Sequence, residues 1–185
     1  TLDDLVNVAR YNFPVEISKE ALENVKVSRQ IVDDIVEAEQ ISYGITTGFG
    51  KFSDVAISKE ECRQLQKNLI MSHSCGVGNP LSEEIVRAMM LLRANALSKG
   101  YSGIRCETLD VLISMLNKGV HPIVPEKGSL GSSGDLAPLS HMVLTMLGLG
   151  EVIYKGVKME SKDAMEKAGI KPLEYLGAKE GLALI

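Results

Sequence analysis

Residues 128–142, Gly-Ser-Leu-Gly-Ser-Ser-Gly-Asp-Leu-Ala-Pro-Leu-Ser-His-Met, change character half-way along. Three glycines and three serines fall between Gly128 and Gly134. Such a run does not fit a packed helix or strand, because each glycine costs about 1 kcal/mol there and serines compete for backbone hydrogen bonds. From Asp135 the apolar residues Leu136, Leu139, Val143, Leu144 and Leu147 recur at helical spacing, Pro138 is tolerable in the first turn, and Gly148 is a stop. The stretch therefore predicts a loop of unusual backbone geometry at a helix N-terminus. A helix opened by glycines is a general anion cradle, yet no Gly-Lys-Ser/Thr follows and the Gly-x-Gly-x-x-Gly spacing is absent, so a phosphate loop is disfavoured.

Working outward, the rest of the chain reads as helices punctuated by loops. Leu2, Leu5, Val6 and Ala9 predict a short amphipathic helix; after Pro14, Ser18 opens a longer one through Ala21, Val25, Ile31, Ile35 and Val36. Ser58-Lys-Glu-Glu61 is a capping box for a helix through Cys62, Leu65, Leu69 and Ile70. It ends near Ser72-His73-Ser-Cys-Gly-Val-Gly-Asn-Pro80, which puts His73 at a helix end or in the following loop. Further helices are expected over Ser82 to Lys99, with Met89 and Met90 as core filling, and over Cys106 to Asn117; Val120 to Pro125 is extended. Glu151 to Met159 predicts a small hairpin around Gly156, followed by a short helix over Ser161 to Ala168, both read as peripheral.

One further stretch breaks the helical pattern: Tyr43-Gly-Ile-Thr-Thr-Gly-Phe-Gly50, with three glycines and two threonines. Taken bare, a tyrosine beside such a loop is a half-buried packing residue, and a lone histidine such as His73 is structural.

Composition sets the broad class. The 185 residues, 45% hydrophobic with a net charge of −4, suit a soluble globular chain. Dispersed basic residues and few aromatics argue against a nucleic-acid partner, and no run is apolar enough for a bilayer. Cys62, Cys75 and Cys106 form no Cys-x-x-Cys pair, and His73, His121 and His141 lack i, i+4 spacing, so neither a disulfide framework nor a metal site is expected. A reduced cytoplasmic setting fits, with no leader-like segment at the start.

The string from Gly128 to His141 closely resembles the signature of the aromatic amino acid ammonia-lyases, and Tyr43 to Gly50 resembles their second signature, Tyr-Gly-x-x-Thr-Gly-Phe-Gly. Arg93 to Arg105 is similar to the family as well. The resemblance implies a mainly α fold of the ammonia-lyase, fumarase and aspartase type, with a loop-rich active-site region and a small hairpin. It also implies that residues 1–185 form the N-terminal, prosthetic-group domain of longer chains, whose central helical bundle and further site residues lie beyond. Glu180 to Ile185 resembles the lead-in to a substrate-site asparagine.

In that family an Ala-Ser-Gly tripeptide cyclises to a 4-methylidene-imidazol-5-one. The matching positions are Ser132, Ser133 and Gly134. Ser133 supplies the hydroxyl that must be lost, whereas the first position contributes only its carbonyl, so Ser132 in place of alanine is expected to be tolerated. The resemblance places the catalytic base on Tyr43. A phenol serves as a base near neutrality only where helix N-termini or ordered donors stabilise its anion by about 4 kcal/mol in all. Ser72-His73 matches histidine-specific members, where phenylalanine- and tyrosine-specific members resemble Phe-Leu and His-Leu. The expectation is elimination of ammonia from L-histidine to give urocanate, by a homotetramer with sites shared between subunits and no metal. The alternatives are a phenylalanine or tyrosine lyase or aminomutase with the same group, and a catalytically inactive helical assembly domain.

Overall fold

Leu109, Leu112, Met115 and Leu116 are all completely buried, and the helix that carries them, α5 (Cys106–Lys118), is the axis of the molecule. Each such side chain contributes about 1.5–3 kcal/mol of burial. The computed structural model describes residues 1–48, 57 and 59–185, the side chains of Lys59 and Glu60 apart. Among them, α1 (Leu2–Tyr11), α2 (Lys19–Glu37), α3 (Lys59–His73) and α4 (Glu83–Leu97) precede α5; α6 (Leu136–Met146), α7 (Ser161–Lys167) and α8 (Glu180–Leu184) follow it. The fold is mainly helical, as the periodicity implies. Ser18 caps α2 through a 3.1 Å bond from the Ala21 amide, and Asn12, in the left-handed conformation, ends α1 before Pro14. The capping serine expected at Ser58 lies outside the described residues, as do Phe49 and Gly50.

Five short strands complete the architecture: β1 (Val77–Pro80), β2 (Val120–Pro122), β3 (Pro125–Lys127), β4 (Glu151–Tyr154) and β5 (Val157–Glu160). β1 pairs antiparallel with β3, joining Val77 to Lys127 and Pro80 to Pro125. The β4–β5 hairpin turns at Lys155 and Gly156 as expected, but it is not peripheral. β4 also pairs with β2, and Val152, Ala164 and Met165 are fully buried in the main core. Alternating burial along β4 supplies an inner face; the partner strand, three residues containing a proline, is too short to show in the pattern.

Polar groups fix the packing where the sequence reads only apolar spacing. Arg87, buried on α4, donates to the Val8 carbonyl from Nε and Nη2 (3.1 and 2.8 Å) and to the Leu116 carbonyl from Nη1 (2.9 Å). Its Nη1 also lies 3.0 Å from His121 Nε2. Burial pushes the His121 pKa down, with Glu83 pulling it up and Arg87 lowering it further. Glu180, wholly buried, accepts from the Arg105 amide and Nε (both 2.9 Å), from Thr108 Oγ1 (2.5 Å) and from the Gly177 amide (2.6 Å). Replacing Glu180 with alanine strands a guanidinium and two amides, and should cost about 3–5 kcal/mol. Denaturant unfolding checks this, and a loss below about 1 kcal/mol would show that water satisfies these donors.

Met89, expected as core filling, does pack against the core. Leu92 is 54% exposed, but Leu112 is completely buried. The exposed side of α5 carries Glu107, Asp110 and Asn117, and Leu112 lies on its inner face. No helix among the described residues is long and apolar enough to cross a membrane.

Candidate active site

The β1–β3 ladder builds the site by making two loops leave the same end of a ribbon. Gly76 immediately precedes Val77, and Gly128 immediately follows its partner Lys127. The two glycines meet backbone to backbone: a Cβ at Gly128 would stand 2.8 Å from the Gly76 Cα, which no side chain tolerates. The first loop carries His73, three residues earlier at the end of α3; the second carries Ser132, Ser133 and Gly134 into the N-terminus of α6. Packing of α3 against α6 holds the two together.

The serine loop has the character the sequence predicts. Residues 131–133 form a turn, Ser132 and Ser133 are exposed, and Gly134 lies at φ +76°, a conformation that glycine adopts readily. The Ser129 hydroxyl donates to the Gly134 carbonyl. Asp135 begins α6 and receives Arg93 Nη2 at 3.3 Å; burial lowers the Arg93 pKa, and Asp135 opposes that shift.

His73 is half-buried, and its Nδ1 lies 2.9 Å from the Leu69 carbonyl and 3.1 Å from the Ser72 hydroxyl. A carbonyl only accepts, so Nδ1 carries the hydrogen, and in the neutral ring Nε2 is an acceptor. Nothing in the sequence around His73 signals this orientation.

The turn that carries Tyr43 has an anchor of its own. Its turn, residues 43–46, is closed by Ile45 and Thr46 amides donating to the Ser42 carbonyl (3.1 and 3.0 Å). Ile45 is buried against Val32 and Ala178, and Cys62 Sγ reaches the Ile45 carbonyl at 3.2 Å. The turn is thus fastened to the N-terminal half of α3, while His73 ends that helix, about 16 Å further along at 1.5 Å per residue. Tyr43 itself is 54% exposed. The ladder brings His73 and the serine loop together; the anchor of the Tyr43 turn is separate.

Two polar residues at the site escaped the sequence reading. Arg93 faces Asp135, although its stretch resembles the family motif. His141 Nε2 accepts from the Gly76 amide at 2.9 Å. In the sequence His141 enters only as a candidate metal ligand, by spacing. Among the described residues no three His, Cys, Asp or Glu side chains gather closely enough for a metal ion. A groove of about 500 Å³ lined by Ile17, Asn24, Leu91 and Tyr101 holds none of Tyr43, His73, Ser132, Ser133 and Gly134.

The family model for aromatic amino acid lyases matches residues 1–185, which is the whole chain. The chain belongs to the aromatic amino acid lyase family. Among this family's members, the histidine ammonia-lyase of Alkaliphilus oremlandii is 64% identical over 185 residues, covering all of this chain and 36% of the relative. Two solved lyase-family structures superpose over the full chain. Ergothionase from Treponema denticola, in complex with desmethyl-ergothioneine sulfonic acid, does so with a TM-score of 0.93 at 38% identity, over 37% of that chain. Histidine ammonia-lyase from Trypanosoma cruzi gives a TM-score of 0.91 at 41% identity, over 35% of that chain. The chain therefore spans little more than a third of its relatives' length.

Proposed function

We propose that residues 1–185 are the N-terminal active-site portion of a histidine ammonia-lyase, which eliminates ammonia from L-histidine to give urocanate. The observation that supports the reading is the β1–β3 ladder, which sets Gly76, three residues after His73, against Gly128 at the root of the serine loop. The name of the 64%-identical relative supports the choice of histidine. Fold likeness alone does not choose, since the ergothionase superposes as closely.

The residues present fit a self-formed methylidene-imidazolone at Ser132-Ser133-Gly134. The tripeptide lies in an exposed turn, and Gly134 has the positive φ and bare Cα that a close approach of its amide nitrogen needs. In the cyclisation, the Gly134 nitrogen bonds to the Ser132 carbonyl carbon and that carbonyl oxygen leaves as water, with one hydrogen from each of the Ser133 and Gly134 amides. Ser133 loses its Cα hydrogen and its hydroxyl as a second water. The finished group supplies an electrophilic carbon for the substrate amine. Ser129 holds the Gly134 carbonyl, and the N-terminus of α6 favours negative charge at the loop.

His73 recognises the substrate, its Nε2 accepting from the imidazole N–H while Leu69 and Ser72 fix the ring. Tyr43 is the base that takes the β-proton. The reading carries with it the remaining bundle of the longer chain, a cytoplasmic homotetramer and sites completed by neighbouring subunits.

Substrate choice provides the test. A pocket built to hydrogen-bond a polar ring rejects an apolar analogue by leaving buried groups unpaired. In the full-length protein, His73→Leu should lower the specificity constant for histidine about 5- to 150-fold, with phenylalanine losing less or gaining. Steady-state assays with both amino acids check this. Unchanged preference for histidine would reduce His73 to a structural residue.

A further inference from the structure

We infer that His141 is a positioning residue for substrate recognition: it locks the loop carrying His73 onto the helix that carries the prosthetic loop. The inference rests on the proposed role of His73. α6 begins at the serine loop, and one and a half turns along it His141 presents Nε2 to the Gly76 amide, 2.9 Å away. Because an amide only donates, Nε2 carries no hydrogen there. Burial lowers the pKa of His141 and so favours the neutral ring that this contact needs.

There is little slack between that contact and His73. The Ser74 amide still bonds the Ile70 carbonyl at 3.1 Å, and the Cys75 amide bonds the His73 carbonyl at 2.9 Å. The next residue is Gly76, which has little room for a side chain: a Cβ would stand 3.0 Å from His141 Nε2, 3.2 Å from the Lys127 carbonyl and 3.2 Å from the Pro125 side chain. Gly76 also underlies Gly128, at the root of the serine loop. His141 thus fixes the distance between the group that recognises the ring and the segment that reacts with the amine. It touches neither Ser133 nor His73 through any described hydrogen bond, so its effect passes through Gly76.

The experiment uses the full-length protein with His141→Leu, His141→Asn and His141→Gln. Leucine offers no acceptor, asparagine is too short to reach Gly76, and glutamine can return an oxygen close to where Nε2 stood. A contact that serves binding of the ring alone moves KM rather than kcat. Leucine and asparagine should therefore raise KM for L-histidine at least about tenfold with kcat within about threefold, and lower the preference for histidine over phenylalanine. Glutamine should return KM to within about threefold of wild type. Intact mass should show both waters lost in every folded variant, which separates this effect from failure of the prosthetic group. If the leucine variant does not fold, the asparagine and glutamine pair decides. Unchanged KM in the folded acceptor-less variants overturns the inference, as does a glutamine variant no better than asparagine. A wild-type enzyme with no turnover of histidine would instead overturn the reading on which it rests.

Discussion

Replacing Ser133 with alanine in the full-length protein should lower kcat for ammonia elimination by at least about a thousandfold, or about 4 kcal/mol of barrier. The size follows from the chemistry. The β-proton of an amino acid is too weakly acidic for an ordinary side-chain base, and its amine is a poor leaving group until an electrophile takes it up. Only Ser133 among the three ring positions supplies the hydroxyl whose loss creates that electrophile. Ser132 contributes a carbonyl that any residue has, so Ser132→Ala should leave kcat within a few-fold of wild type. Formation of urocanate, followed by its absorbance, distinguishes the two. Comparable losses in both variants would mean that the loop matters for its shape and not for the cyclisation.

Removing the base should be nearly as severe. Tyr43→Phe deletes one oxygen, and general-base contributions of about 10²- to 10⁴-fold predict a fall in kcat of that order with KM little changed. The prosthetic group should still form, because the Tyr43 turn is fastened through Ile45 and Cys62 and not through the serine loop. The variant's intact mass would then remain two waters below the sequence value while turnover collapses. Turnover within tenfold of wild type would remove Tyr43 from the chemistry.

Helices with strong periodicity were legible in the sequence. α2 begins at the Ser18 cap, and α4 and α5 lie within about two residues of the expected spans Ser82 to Lys99 and Cys106 to Asn117, since caps and stops act locally. The serine loop at the head of α6 was equally plain, because glycine density reports directly on backbone geometry. What escaped was non-local. β1 and β3 are four and three residues long and each contains proline, so they have no alternation to read; their pairing nevertheless sets Gly76, three residues after His73, against Gly128 at the root of the serine loop. The interior placement of the β4–β5 hairpin depends on pairing with Val120 to Pro122, more than 25 residues earlier. Arg87 and Glu180 are buried and His141 is half-buried; their partners are backbone atoms and side chains far along the chain, and one-dimensional spacing carries no trace of such bonds. Motif resemblance named Tyr43, His73 and the tripeptide without indicating which of them one chain brings together.

The central claim is that Ser132, Ser133 and Gly134 react with one another. Peptide mass analysis of the folded, active, full-length protein tests it most directly: the fragment spanning residues 128–142 should be lighter than its sequence by two waters, with the loss confined to positions 132–134. The same fragment recovered at its unmodified mass from protein that turns over histidine would contradict the account.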